Sequence, residues 1–177
     1  MNRIIFFVFI CCIVSAKTFG QAISIAPNAR LNSTTTPQIY TKSQVQNHFK
    51  SKIGKVNHDT EGYKDNGKIY KIGNTFVEFG EVSFGNDLNY LDDTKKKMDN
   101  FYSKVKSLNY ESKIVVIDKQ RVFIRNYNAP DHKVLVFIIE NKNKKTGLRG
   151  TLRYDNTDGT EANKTLESLI KNIKFES

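Results

Sequence analysis

Cysteine is almost absent from this 177-residue chain, and its two copies are adjacent: Cys11 and Cys12 lie inside the apolar run Ile4–Val14. A chain cut after that run has no disulfide, no thiolate nucleophile and no cysteine metal ligand, so its fold rests on a hydrophobic core. Tryptophan is missing, and proline occurs only three times. Histidine is scarce: His48, His58 and His132 show neither the four-residue spacing of a helical metal site nor a His-Glu-x-x-His motif. There is no Gly-x-Ser-x-Gly nucleophile elbow, and Gly147 with Gly150 is too short to make a phosphate loop. Asp155-Asn156-Thr157-Asp158-Gly159 opens like a calcium loop, but its twelfth position is Leu166 where a glutamate is required, so it reads as a turn before a helix. No cofactor or metal motif is left, and a non-enzymatic protein is the expectation.

What is present is positive charge. Twenty-eight Lys and Arg face eighteen Asp and Glu, a formal balance of +10. An excess of this size favours anionic contacts without selecting among phosphate, polysaccharide, lipid headgroup and acidic protein. The hydrophobic share of 38% and charged share of 26% are those of a globular protein rather than a disordered one.

The first twenty residues read as a signal peptide. Arg3 is a short positive start, and Ile4–Val14 is long enough for a signal core but short of the roughly 20 apolar residues of a spanning helix. Cleavage after Gly20, ahead of Gln21, is favoured over cleavage after Ala16. Neither Ile10 nor Cys11 is the small residue that should precede a lipid-modified cysteine, so a lipoprotein is not expected. The expected product is a periplasmic or secreted monomer without a transmembrane segment.

Residues 21–39, rich in Ser, Thr, Asn and Pro, read as an extended leader, and residues 40–177 as one α+β domain. Tyr40–Ile53 is predicted helical, with a Thr41–Gln44 capping box and Val45, Phe49 and Ile53 on one face. Asn57–Gly67 is polar and turn-rich. Lys68–Phe84 reads as a hairpin turning at Gly73-Asn74, with Gly80 marking a bulge or close approach. Leu91–Leu108 is predicted as a helix burying Leu91, Met98, Phe101, Tyr102, Val105 and Leu108. Four strands follow: Lys113–Ile117, Arg121–Tyr127, Lys133–Glu140 and Leu148–Tyr154. The third is apolar on both faces and therefore central. Thr160–Ile173 closes the chain as a helix with Thr160 as N-cap and Ala162, Leu166, Leu169, Ile170 and Ile173 as its buried stripe. Short links make the sheet, of about six strands, mainly antiparallel.

This order, together with Gly147-Leu148-Arg149-Gly150-Thr151-Leu152-Arg153-Tyr154 and the closing Ile170-Lys171-Asn172-Ile173-Lys174-Phe175, resembles the PsbP-like fold. That fold is shared by the photosystem extrinsic protein, DcrB-type envelope proteins and a Ran-binding nuclear import factor. The resemblance covers Lys68–Phe175 and implies an α/β/α sandwich and a non-catalytic binding or assembly role.

One constellation is a candidate site. Apart from Arg3 and Arg30, the arginines are Arg121 and Arg125 on one predicted strand and Arg149 and Arg153 on another. A four-residue separation puts each pair on one face of its strand, and Tyr127 shares the face of Arg125. If the two faces match, the sheet carries a four-arginine patch suited to carboxylate or phosphate. The alternative is an ordinary solvated face, its arginines paired to Glu140, Glu78 or Asp118. The expected partner is an acidic protein or an anionic envelope polymer. An inhibitor or immunity protein plugging one toxin or hydrolase is the alternative. An envelope hydrolase, which would need Glu78, Glu81 and Asp118 to converge, is the third reading. Nucleic acid is disfavoured by export. Membrane-surface binding is disfavoured because no helix pairs a purely basic face with an aromatic one.

Overall fold

Every position of Val134–Ile139 is apolar, and such a strand is stable only where both of its faces are covered. In a computed structural model, which describes residues 21–53, 67–142 and 145–176, this run is buried throughout. It forms β8 (Lys133–Glu140), fifth in a seven-stranded sheet. The other strands are β3 (Gln38–Tyr40), β4 (Ile69–Ile72), β5 (Thr75–Ser83), β6 (Glu111–Ile117), β7 (Gln120–Asn128) and β9 (Thr146–Tyr154). Their order is β3-β4-β5-β9-β8-β7-β6, and every neighbouring pair is antiparallel. Two-residue turns set the hairpin registers. Gly73, with φ +57°, turns β4 into β5, and Asp118 and Lys119, with φ 49° and 63°, turn β6 into β7.

Helix α3 (Gly159–Asn172) covers one face. Its expected stripe is buried: Ala162, Leu166, Leu169 and Ile170, followed by Ile173. These pack on Val77, Phe79, Val122, Ile124, Leu135, Phe137, Leu148 and Leu152. The N-cap is Asp158, not Thr160, because the Ala162 amide bonds back to the Asp158 carbonyl. The opposite face is covered by α1 (Lys42–Ile53) and α2 (Tyr90–Tyr102). The capping box forms: the Thr41 amide donates to Gln44 Oε1 at 2.8 Å, and the Gln44 amide to Thr41 Oγ1 at 3.3 Å. Val45 and Phe49 then pack on Ile69 and Phe76.

Three expectations are corrected. The stretch read as a leader is structured: β1 (Gln21–Ala26) and β2 (Ala29–Ser33) form a hairpin around Pro27-Asn28. Together with β10 (Ile173–Phe175) they make a second, three-stranded sheet, and residues 38–40 add β3 to the large one. The reason is burial: Ile25, Ala29 and Leu31 join the α3 core despite their polar neighbours. The second helix ends at Tyr102 rather than Leu108. Leu91, Met98 and Tyr102 keep within about 20° of one line at 100° per residue, whereas Phe101 lies about 80° away. Phe101 is 67% exposed, and Val105, beyond the helix end, is 40% exposed. Finally, Gly80 makes no bulge, since β5 and β9 pair through it without a register shift. Close approaches occur at Gly147 and Gly150, where a Cβ would collide with Phe84 and with Phe137 respectively.

The expected signal peptide, His58 and the polar stretch 57–66 lie outside the described residues, as do residues 143–144 of the lysine-rich turn.

Candidate anion-binding face

Residues directly opposite in an antiparallel ladder share a face, so the register decides whether the arginine pairs match. Phe123 of β7 stands opposite Ile138 of β8, which stands opposite Arg149 of β9. Tyr127 stands opposite Val134, which stands opposite Arg153. Arg121, Arg125, Tyr127, Arg149 and Arg153 therefore all project from one face, the one that α1 and α2 cover. Two strand spacings separate β7 from β9, about 10 Å, and each pair spans about 13 Å along its strand.

The four arginines differ in setting. Arg121 is partly exposed; its Nη2 donates to Asp92 Oδ2 of α2 at 2.9 Å, and its Nη1 lies 3.7 Å from Glu140 Oε1. The Asp92 hydrogen bond holds its guanidinium all the more firmly protonated. Arg149 is half-buried. Arg125 is 5% exposed, its guanidinium 5.2 Å from the centre of the Tyr102 ring and its Nη1 3.4 Å from Met98 Sδ. Tyr102 stacks in turn on Tyr110 and Tyr127 at 4.9 Å and 6.1 Å. Arg153 is fully buried, with Nη1 3.4 Å from Glu78 Oε2 of β5. Of the expected carboxylate partners Glu140 and Glu78 are in place. Asp118 is taken up by the β6–β7 turn, and Asp92 is the partner that sequence reasoning missed.

Beside this face Asp99 ties α2 to the sheet edge. It accepts from Lys95 Nζ at 2.5 Å, Ser112 Oγ at 2.5 Å and Tyr110 Oη at 3.0 Å. Burial alone would raise its carboxyl, but these hydrogen bonds and the Lys95 charge outweigh burial and hold it below the ordinary carboxylate range. Burial, reinforced by the Asp99 charge, pushes the Tyr110 phenol up to about 12.

A second polar group was not legible as one. Asp131 and His132, in the β7–β8 turn, are 8% and 2% exposed, with His132 Nδ1 2.6 Å from Asp131 Oδ1 and the imidazole stacked 4.4 Å from the Phe49 ring of α1. Their adjacency was visible in the sequence, but burial by a helix eighty residues upstream was not. The hydrolase reading fails on geometry. Glu78 and Glu81 point to opposite faces of β5, with Glu81 accepting from Asn28 Nδ2 at 2.8 Å. Asp118 lies in a turn separated from β5 by β9, β8 and β7. Three carboxylates so placed cannot converge on one bond.

No known family model matches the chain, and no curated protein matches it. Among solved structures it is similar to the solution structure of cyanobacterial PsbP (CyanoP) from Synechocystis sp. PCC 6803, at 10% identity. The match covers 61% of this chain and 73% of that one with a TM-score of 0.42, a weak resemblance of fold. Among the described residues no helix is long and apolar enough to cross a membrane.

Proposed function

We propose that the chain is an exported, non-catalytic binding module whose partner is anionic, either an acidic protein or an anionic envelope polymer. The observation that carries this reading is the placing of Arg121, Arg125, Arg149 and Arg153 on one sheet face in a chain of net charge +10. Arg121 and Arg149, the two accessible members, make contact with the partner. Arg125, Arg153 and Tyr127 are the buried layer that holds the face in shape. A planar guanidinium fork offers paired donors to a carboxylate or phosphate, which a lysine does not.

The test is retention of the protein on immobilised polyglutamate and on heparin across a salt gradient. Wild type should elute later than the Arg121→Gln/Arg149→Gln variant on at least one matrix. Identical elution of the two, with the variant folded like wild type, would remove the arginine face from the binding reading. Retention that persists at high salt would point instead to one shape-specific protein partner, as an inhibitor requires.

A further inference from the structure

The solvent side of α2 and the turn after it carries a feature of a different kind. From Lys96 to Ser107 the exposed residues are Lys96, Lys97, Asn100, Phe101, Ser103, Lys104, Val105, Lys106 and Ser107. Asp99 is the one acid in that stretch, and its 36%-exposed carboxylate is taken up by Lys95, Ser112 and Tyr110. The remaining acids of the helix, Asp92 and Asp93, sit at its far end, about 12 Å from Phe101 along the axis. The stretch thus presents four exposed lysines, with Phe101 67% and Val105 40% exposed among them. Lys97 lies one helical turn before Phe101 on the same flank.

We infer that this surface is a membrane-contact site: Phe101 and Val105 enter the interfacial region of an anionic lipid bilayer while Lys96, Lys97, Lys104 and Lys106 meet its headgroups. Charge complementarity commits the occupant. Flexible lysine stems bring their charges to a diffuse anionic plane without needing a fixed partner geometry, and the Phe101 ring, edge-on to Tyr102 at 4.9 Å but 67% exposed, gains by moving into an apolar phase. The site is separate from the arginine face, which lies beneath the same helix, so either can fail without the other.

The chain contains no tryptophan, so Phe101→Trp supplies a sole indole reporter. The exported protein is mixed with vesicles of phosphatidylglycerol in phosphatidylcholine, or of phosphatidylcholine alone, and binding is followed by sedimentation and by indole emission. Every comparison is between variants of the same chain, all with the far-ultraviolet dichroism of wild type. The expected result is binding to the anionic vesicles only, with a blue shift of the Phe101→Trp emission. Replacing the four lysines with glutamine should weaken partitioning by about a hundredfold or more, each charge contributing a factor of about five. Phe101→Ser should weaken it by about tenfold while leaving the salt dependence in place. Equal binding to neutral vesicles, or an unshifted emission, would overturn the inference. So would soluble polyglutamate binding as tightly as vesicles with no effect of Phe101→Ser, a result that would assign the lysines to an acidic polypeptide.

Discussion

Arg153 is the most demanding residue in the sheet: a guanidinium with no solvent exposure, flanked by Phe76 and Val134 and diagonal to Glu78. Truncating it to methionine keeps the stem volume and removes the charge, leaving the 6%-exposed Glu78 without this counter-ion. Losing one member of a buried pair costs about 3–5 kcal/mol, because the remaining charge stays desolvated. Folded proteins of this size have roughly 5–15 kcal/mol in hand, so Arg153→Met should consume a large fraction of it. Adding Glu78→Leu removes the carboxylate that has lost Arg153 and should restore most of the loss, because a buried pair and a well-packed apolar replacement are often near equal. The assay is urea denaturation of wild type, both single variants and the double variant, comparing midpoints at constant slope. The coupling between the two sites should be about 2 kcal/mol or more. A coupling near zero, or a single Arg153→Met cost under about 1 kcal/mol, would refute the view that this pair acts as a buried unit.

Two further outcomes follow from the packing and the titrating groups. Gly150→Ala should destabilise by about 1–3 kcal/mol, because the added methyl meets the Phe137 ring directly opposite it. Phe137→Leu in that background should recover part of the loss in the same denaturation assay, whereas no recovery would place the strain elsewhere. The raised Tyr110 phenol adds stability that is complete below its unfolded value near 10 and is lost as pH rises through about 12. Asp99 has the opposite sign: its contribution is present above the ordinary carboxylate range and is lost as pH falls through its depressed folded value. Asp99→Asn should therefore flatten the acid limb of stability and let Tyr110 ionise at lower pH, read by the ultraviolet absorbance of the phenolate.

Where the sequence states a period plainly, the fold follows it. The unbroken Val134–Ile139 run is central, the Gly73-Asn74 and Asp118-Lys119 turns close their hairpins, and the Ala162-to-Ile173 stripe faces the core. The N-terminal hairpin escaped because Ile23 and Ile25, then Ala29 and Leu31, alternate over only a few positions among Ser, Asn and Pro. Its stability comes from a partner strand near the other end of the chain, which local pattern cannot show. The same limit applies at the site. Spacing placed each arginine pair on one face, but only the intervening register of β8 aligned the two pairs. Burial of Arg125 and Arg153 followed from α1 and α2 crossing above them, and Asp92 became a partner because α2 lies over β7. Phe101 was drawn into a buried stripe by its hydrophobicity, although its angular position on the helix sends it outward.

The small sheet also determines how the molecule meets a pulling force. Both β1 and β10 run antiparallel to β2, with Gln21 beside Ser33 at one end and Phe175 beside Ala29 at the other. Tension applied between Gln21 and Phe175 therefore runs along the strands and loads both hydrogen-bond ladders in shear, all bonds together, rather than unzipping them one by one. A grip of this geometry yields late and abruptly.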